Sequence, residues 1–131
     1  MSSAQPLFPV PFEDCRVVRA RGELDLTTVA PVVGALHRAR AGTGRLCLIV
    51  DLSAVTFADS SILEPLCEVW AESRARHGWT RLVYTRPSTA LLLRVGGVAD
   101  RFPGYASVRD AWRGTVDVRG PGDATARGGA A

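Results

Sequence analysis

The sequence contains no lysine, no closely spaced pair of cysteines and no apolar run long enough to cross a bilayer. A membrane-spanning helix needs roughly 18 apolar residues, and the first residues lack the basic residue and the apolar core of a signal peptide. We therefore expect a cytoplasmic protein without a membrane span. Cys15, Cys47 and Cys67 form no Cys-x-x-Cys pair. They are predicted to be small buried residues, not metal ligands or disulfide partners.

Basic residues are spread along the chain and are not gathered in one segment. All 16 are arginines, and the formal net charge is +3. A nucleic-acid-binding surface usually has a basic run with aromatic residues interleaved, and no such run occurs. We expect solvated charged faces and no direct nucleic-acid partner.

Few side chains are available for nucleophilic catalysis. The only histidines are His37 and His77, both in predicted helices. At about 1.5 Å per helical residue, His77 lies roughly 25 Å from Ser60, which is too far for a catalytic pair. Ser60 also lacks the Gly-x-Ser-x-Gly setting of a hydrolase nucleophile. We predict that the protein is not an enzyme.

Carboxylates occur in two pairs near predicted strand ends, Glu23 with Asp25 and Asp51 with Asp59. Such residues are more often loop and capping residues than metal ligands. A Mg²⁺ site would usually need a phosphate ligand to complete it. We therefore predict no metal site and no cofactor.

The apolar run at residues 46–50, closed by Asp51, predicts a central strand. Five apolar residues in a row leave no polar face, which is typical of a parallel strand covered on both sides. After a further loop, Asp59, Ser60 and Ser61 are predicted to open a helix, since their oxygens can accept hydrogen bonds from free helix amides. Capping one helix does not require two serines after an aspartate, so one serine hydroxyl at this helix start is left free.

The same region predicts how the helix begins. Ser61 and Glu64 match a capping box, so the helix would start at Ser61. Pro65 would then remove the first intrahelical hydrogen bond. An earlier helix, capped by Thr27 or Thr28, is predicted from apolar residues spaced three and four apart.

Strands and helices alternate along the chain, which predicts an α/β domain with a mixed, mostly parallel sheet of four or five strands and helices packed on it. The further elements predicted are a strand at 15–22, a strand at 81–85, a helix at 88–95, a short extended piece within 98–105 and a helix capped by Ser107. Prolines confine residues 1–13 to an edge strand at most. We assign 14–114 to the domain and predict that 115–131, which have little to bury, are disordered.

Several of these segments together resemble the STAS domain of bacterial anti-anti-sigma factors. They are Gly22-Glu23-Leu24-Asp25, Pro31, Val50-Asp51-Leu52-Ser53-x-Val55-Thr56-Phe57-x-Asp59-Ser60-Ser61, and Phe102-Pro103 before Ser107-x-x-x-Ala111. The resemblance implies an anti-sigma factor antagonist, which binds an anti-sigma factor and so releases a sigma factor. It also implies that a serine kinase, often the anti-sigma factor itself, phosphorylates Ser60 and that a PP2C-type phosphatase reverses this.

The resemblance further implies a partner-binding surface, made of Glu23, Asp25, Asp59, Ser60, Ser61 and Ile62. The family usually has glycine where this chain has Ile62, which would let a kinase backbone approach closely. Either the kinase is adapted to Ile62, or Ser60 is not modified and binding is constitutive. Two alternatives stay open: a STAS scaffold or transport-complex subunit without phosphorylation, and a small-molecule sensor. The oligomeric state is not predicted.

Overall fold

The computed structural model describes residues 7–115, which form a five-stranded sheet with helices on both faces. The strands are β1 (Val10–Phe12), β2 (Cys15–Leu24), β3 (Cys47–Ala58), β4 (Trp79–Val83) and β5 (Gly104–Tyr105). The helices are α1 (Ala30–Ala39), α2 (Leu63–Ala75), α3 (Pro87–Val95) and α4 (Val108–Arg113), and a 3-10 turn at Ser60–Ile62 precedes α2. This architecture confirms the predicted α/β class.

The strands lie in the order β1-β2-β3-β4-β5. β1 is antiparallel to β2, and every other neighbouring pair is parallel. The sheet is therefore mixed and mostly parallel, as predicted, with β3 at its centre. The predicted tail falls largely outside the described residues.

Both faces of the sheet are covered, as the apolar run predicted. Leu48 and Val50 pack in a cluster with α1, α2 and α3, whereas Cys47 and Ile49 pack in a second cluster with α4. Leu48, Ile49 and Val50 are completely buried. This double coverage makes the first half of β3 the centre of the core.

β3 is longer than the sequence predicts, because it continues past Asp51 to Ala58. The extension pairs with β2, with Glu23 opposite Phe57 and Leu24 opposite Ala58. The sequence predicts a loop between Asp51 and Asp59, and this prediction is wrong for residues 52–58. Pairing with β2 holds them extended, and β2 itself runs two residues beyond Gly22.

The start of α2 also differs from the prediction. Asp59 is the capping residue of the 3-10 turn, and α2 begins at Leu63. The capping box from Ser61 to Glu64 is therefore wrong. Pro65 becomes the third residue of α2, in the first turn, where amide protons have no intrahelical acceptor. Its missing amide proton costs no helical hydrogen bond.

Other predicted boundaries need smaller corrections. α1 has Val29 at its capping position and no side-chain cap, so neither Thr27 nor Thr28 plays that role. β4 lies two residues earlier than predicted. Ser107 does cap α4, because its hydroxyl oxygen accepts a hydrogen bond from the Asp110 amide at 3.1 Å. Within residues 7–115, no helix has the length and apolar character needed to span a membrane.

Candidate partner-binding site at the end of β3

Asp59, Ser60 and Ser61 lie where β3 ends and the 3-10 turn begins. The Asp59 amide donates a hydrogen bond to the Leu24 carbonyl at 2.9 Å, so the ends of β2 and β3 are tied together. In parallel sheets, the carboxyl ends of the strands are where α/β proteins meet their ligands. The position of these three residues is therefore favourable for a binding surface.

Ser61 donates two hydrogen bonds to the Asp59 carboxylate. Its Oδ1 accepts hydrogen bonds from the Ser61 amide at 2.9 Å and from the Ser61 hydroxyl at 2.5 Å. These bonds to Ser61 lower the pKa of Asp59, because they stabilise the ionised carboxylate. Ser61 is thus a structural partner of Asp59, and its hydroxyl is already engaged.

Ser60 is exposed, unlike its two half-buried neighbours. Its hydroxyl has no hydrogen-bond partner among residues 7–115. The free hydroxyl expected from the two adjacent serines is thus the one on Ser60, at the first residue of the 3-10 turn.

The loop that follows β2 brings a second carboxylate to the same edge. Asp25 Oδ1 accepts hydrogen bonds from the amides of Thr27 and Thr28, at 2.9 and 3.1 Å. Hydrogen bonds from Thr27, and more weakly from Thr28, lower the pKa of Asp25. Leu24 and Ala58 are paired across β2 and β3, so Asp25 and Asp59 follow the ends of neighbouring strands. Repulsion from Asp25 raises the pKa of Asp59, though less than Ser61 lowers it. Exposed Glu23 adds a third carboxylate to this edge.

Ile62 does not present its side chain to a partner. The residue is only 1% exposed and packs in the cluster with α1, α2 and α3. Of the six residues expected at the partner surface, it alone is buried. A role for Ile62 in binding therefore remains a prediction for its main chain only.

An exposed apolar groove lies beside the site and was not predicted. Phe57, Leu91 and Val95 are 53%, 49% and 77% exposed, and they line a cavity of about 300 Å³ between the end of β3 and α3. We call it the α3 groove. The sequence does contain one sign of this groove, because Leu91 and Val95 are four residues apart and so lie on the same face of α3. The sequence pattern does not show, however, which apolar residues of α3 face the core. Leu26, in the loop after β2, is a further apolar residue that is 81% exposed.

Solved structures share this fold over most of the chain. An anti-sigma factor antagonist from Mycobacterium paratuberculosis has a TM-score of 0.72 at 26% identity, covering 83% of this chain and 92% of that one. An anti-sigma-factor antagonist (STAS) domain protein from Planctomyces limnophilus has a TM-score of 0.74 at 20% identity, with 85% and 98% covered. The anti-sigma factor antagonist SpoIIAA, in its unphosphorylated form, has a TM-score of 0.61 at 24% identity, with 85% and 99% covered.

Sequence comparison gives a consistent result at the level of the family. No curated protein sequence matches the chain. The family model described as the STAS domain matches residues 11–111, from within β1 to within α4. These limits include the whole site at the end of β3, and the resemblance noted from the sequence is confirmed. The chain belongs to the STAS domain family.

Proposed function

We propose that this protein is an anti-sigma factor antagonist, a binding protein that occupies an anti-sigma factor and so releases a sigma factor. The family assignment and the similarity to the mycobacterial antagonist support this role. The observation that carries the proposal is the exposed Ser60 hydroxyl at the edge shared by Asp25 and Asp59.

The proposed interface combines an acidic part and an apolar part. Glu23, Asp25 and Asp59 supply negative charge near Ser60, and the adjoining α3 groove supplies exposed apolar area. Interfaces of this kind bind tightly when apolar anchors are buried at the centre and charges lie at the rim. The partner surface should therefore offer apolar side chains to the α3 groove and cations to the carboxylates.

Phosphorylation of Ser60 is the proposed control of this interface. A phosphate would add about −1.5 to −2 charges at a helix start, where the dipole favours anions. The domain should therefore stay folded. A partner whose cations are already matched to Asp59 and Asp25 has none for the phosphate, so burying this unpaired charge at the interface carries a desolvation cost and binding should weaken.

The buried side chain of Ile62 supports a modifiable Ser60. Because Ile62 packs in the core, its side chain does not stand between an approaching kinase and the Ser60 hydroxyl. We therefore favour reversible phosphorylation over constitutive binding. The proposed partners are an anti-sigma factor serine kinase and a PP2C-type phosphatase, acting in the cytoplasm.

Intact-mass spectrometry after incubation with ATP and a candidate anti-sigma factor kinase tests the proposal. We expect one added phosphate in the native chain, none in Ser60→Ala and one in Ser61→Ala, the matched control. If the kinase binds the chain but adds no phosphate, the control by phosphorylation is wrong and the antagonist acts constitutively. If no anti-sigma factor of the source organism binds, the antagonist role is wrong and a scaffold role gains support.

A further inference from the structure

A second groove lies away from Ser60, on the sheet face that α4 covers only in part. Cys15 and Val17 of β2 and Ile49 of β3 pack in the cluster with α4. Farther along the same face the strands carry Arg19 and Arg21 on β2, and Asp51 and Ser53 on β3. These four residues line a cavity of about 410 Å³, whose other wall includes Leu7, Phe8 and Val10. We call it the N-terminal groove.

Some charged side chains of the N-terminal groove have a partner of opposite charge, and one does not. Asp51 Oδ1 accepts hydrogen bonds from the Ser53 amide at 3.0 Å and from the Ser53 hydroxyl at 2.6 Å. Asp51 Oδ2 lies 3.4 Å from Arg19 Nε. Arg21 is exposed and has no ion pair or hydrogen bond to its side chain among residues 7–115. The groove therefore has one uncompensated positive charge, on Arg21, next to a guanidinium held in place by Asp51.

The opposite wall is apolar and partly exposed. Phe8 and Val10 are 64% and 42% exposed, although large apolar side chains are normally buried. Arg38 holds this wall, because its guanidinium carbon lies 4.6 Å from the centre of the Phe8 ring and an Nη atom donates a hydrogen bond to the Leu7 carbonyl. The groove thus combines a fixed apolar wall with a guanidinium pair.

We propose that the N-terminal groove binds a small amphipathic monocarboxylate. The carboxylate would accept hydrogen bonds from Arg21 and Arg19, whose planar N–H groups match carboxylate geometry. The apolar body would lie against Phe8 and Val10. The cavity volume is within the range of about 300–1,000 Å³ that is usual for small-ligand sites.

The charge balance favours a monocarboxylate over a phosphate monoester. Of the two arginines that line the groove, Arg19 is already paired with Asp51, so only Arg21 is left to balance a charge on the ligand. A phosphate monoester carries about −1.5 to −2 charges at neutral pH, and its excess charge would face the Asp51 carboxylate. This binding would be independent of the interface at Ser60.

Calorimetric titration of the full chain with octanoate, below its micelle concentration, tests the proposal. Octanoate should bind with one-to-one stoichiometry. Acetate lacks the apolar body, octanol lacks the charge and octyl phosphate has excess charge, so each should bind at least about tenfold more weakly, a difference of about 1.4 kcal/mol. Equal binding of any of these three probes, or no binding of octanoate, would overturn the proposal.

Two matched variants locate the site. Arg21→Gln should weaken octanoate binding about tenfold, because it removes one charge-assisted contact. Arg94→Gln, an equal change at an exposed arginine on α3, should leave it unchanged. Amide chemical shifts of Val10, Ala20 and Ala54 should move on titration in the native chain. Equal binding by the two variants, or shifts confined to other residues, would show that the N-terminal groove is not the site.

Discussion

The Ser61 hydroxyl donates a hydrogen bond to the Asp59 carboxylate at 2.5 Å, while Ser60 between them stays exposed. Asp59 thereby engages one serine of the adjacent pair and leaves the other free. The two hydroxyls differ in role although they are neighbours in sequence. Ser61 stabilises the turn, whereas the Ser60 hydroxyl is exposed and has no hydrogen-bond partner among residues 7–115.

Because Ser61 bonds to Asp59 and Ser60 does not, replacing each serine with alanine should have a different effect on stability. Ser61→Ala should lower the free energy of unfolding by about 1 kcal/mol, because it removes a hydrogen bond to Asp59. Ser60→Ala should change it by less than about 0.5 kcal/mol, as is usual at exposed positions. Urea denaturation of both variants measures the difference. Equal effects would contradict the division of roles.

Acid stability should depend on Asp59. Hydrogen bonds from Ser61 lower the pKa of this carboxyl in the folded state, so the unfolded state takes up its proton at higher pH than the folded state does. The resulting stabilisation is complete at neutral pH and is lost as the pH falls from the ordinary aspartate range through the lowered folded-state pKa.

Denaturation of Asp59→Asn between neutral pH and pH 3 should therefore show a weaker pH dependence than the native chain. The matched control is Asp100→Asn, because Asp100 is exposed and its carboxylate accepts no hydrogen bond within the described part of the chain. That control should follow the native curve. If the two variants behave alike, the Asp59–Ser61 interaction does not stabilise the ionised carboxylate.

Partner binding should require the apolar side chains of the α3 groove. Phe57→Ala and Leu91→Ala should each weaken binding to the anti-sigma factor about fivefold or more, because truncating an anchor residue costs more than about 1 kcal/mol. Their melting temperatures should change little, since both side chains are about half exposed. Val33→Ala on α1, also at an exposed apolar residue, is the control and should bind normally. Weakening by all three variants alike would argue against the α3 groove.

The connection between α2 and β4 should not tolerate a side chain at Gly78. A Cβ there would lie 1.8 Å from the Leu46 carbonyl oxygen, and that oxygen is held by the Trp79 amide at 3.0 Å. Gly78→Ala should therefore lower the free energy of unfolding by more than about 3 kcal/mol. At Gly44 an added Cβ would have open space, but the backbone φ is +88°. Gly44→Ala should therefore lower the free energy of unfolding by only about 1 kcal/mol. Similar losses in urea denaturation would contradict the steric account.

The central part of the fold could be predicted because its signal is local. The apolar run ending at Val50 is sufficient to indicate a strand covered on both faces. The end of β3 could not be predicted in the same way, since its last residues are held by pairing with β2 and not by their own apolar pattern. The length of a strand depends in such cases on a partner that is distant in sequence.

The residues of the site could be predicted from the sequence, but the hydrogen bonds between them could not. Either Asp59 or Ser61 could have capped the helix, because both residue types are good caps. The hydrogen bond from the Asp59 amide to the Leu24 carbonyl holds Asp59 in an extended backbone conformation. The Asp59 side chain can then accept a hydrogen bond from the Ser61 amide. The α3 groove was missed for a related reason. Leu91 and Val95 have the spacing of core residues, and only the position of α3 on the sheet decides that they are exposed.

The central claim is tested most directly by comparing the affinity of the anti-sigma factor for the chain before and after phosphorylation at Ser60. Burying a phosphate that has no matching cation, beside Asp25 and Asp59, costs on the order of 2–5 kcal/mol, so phosphorylation should weaken binding roughly 30-fold to several thousand-fold. Far-ultraviolet circular dichroism should show the same fold in both forms. Equal affinity of the two forms would contradict the account, because Ser60 would then lie outside the interface or its charge would not matter there.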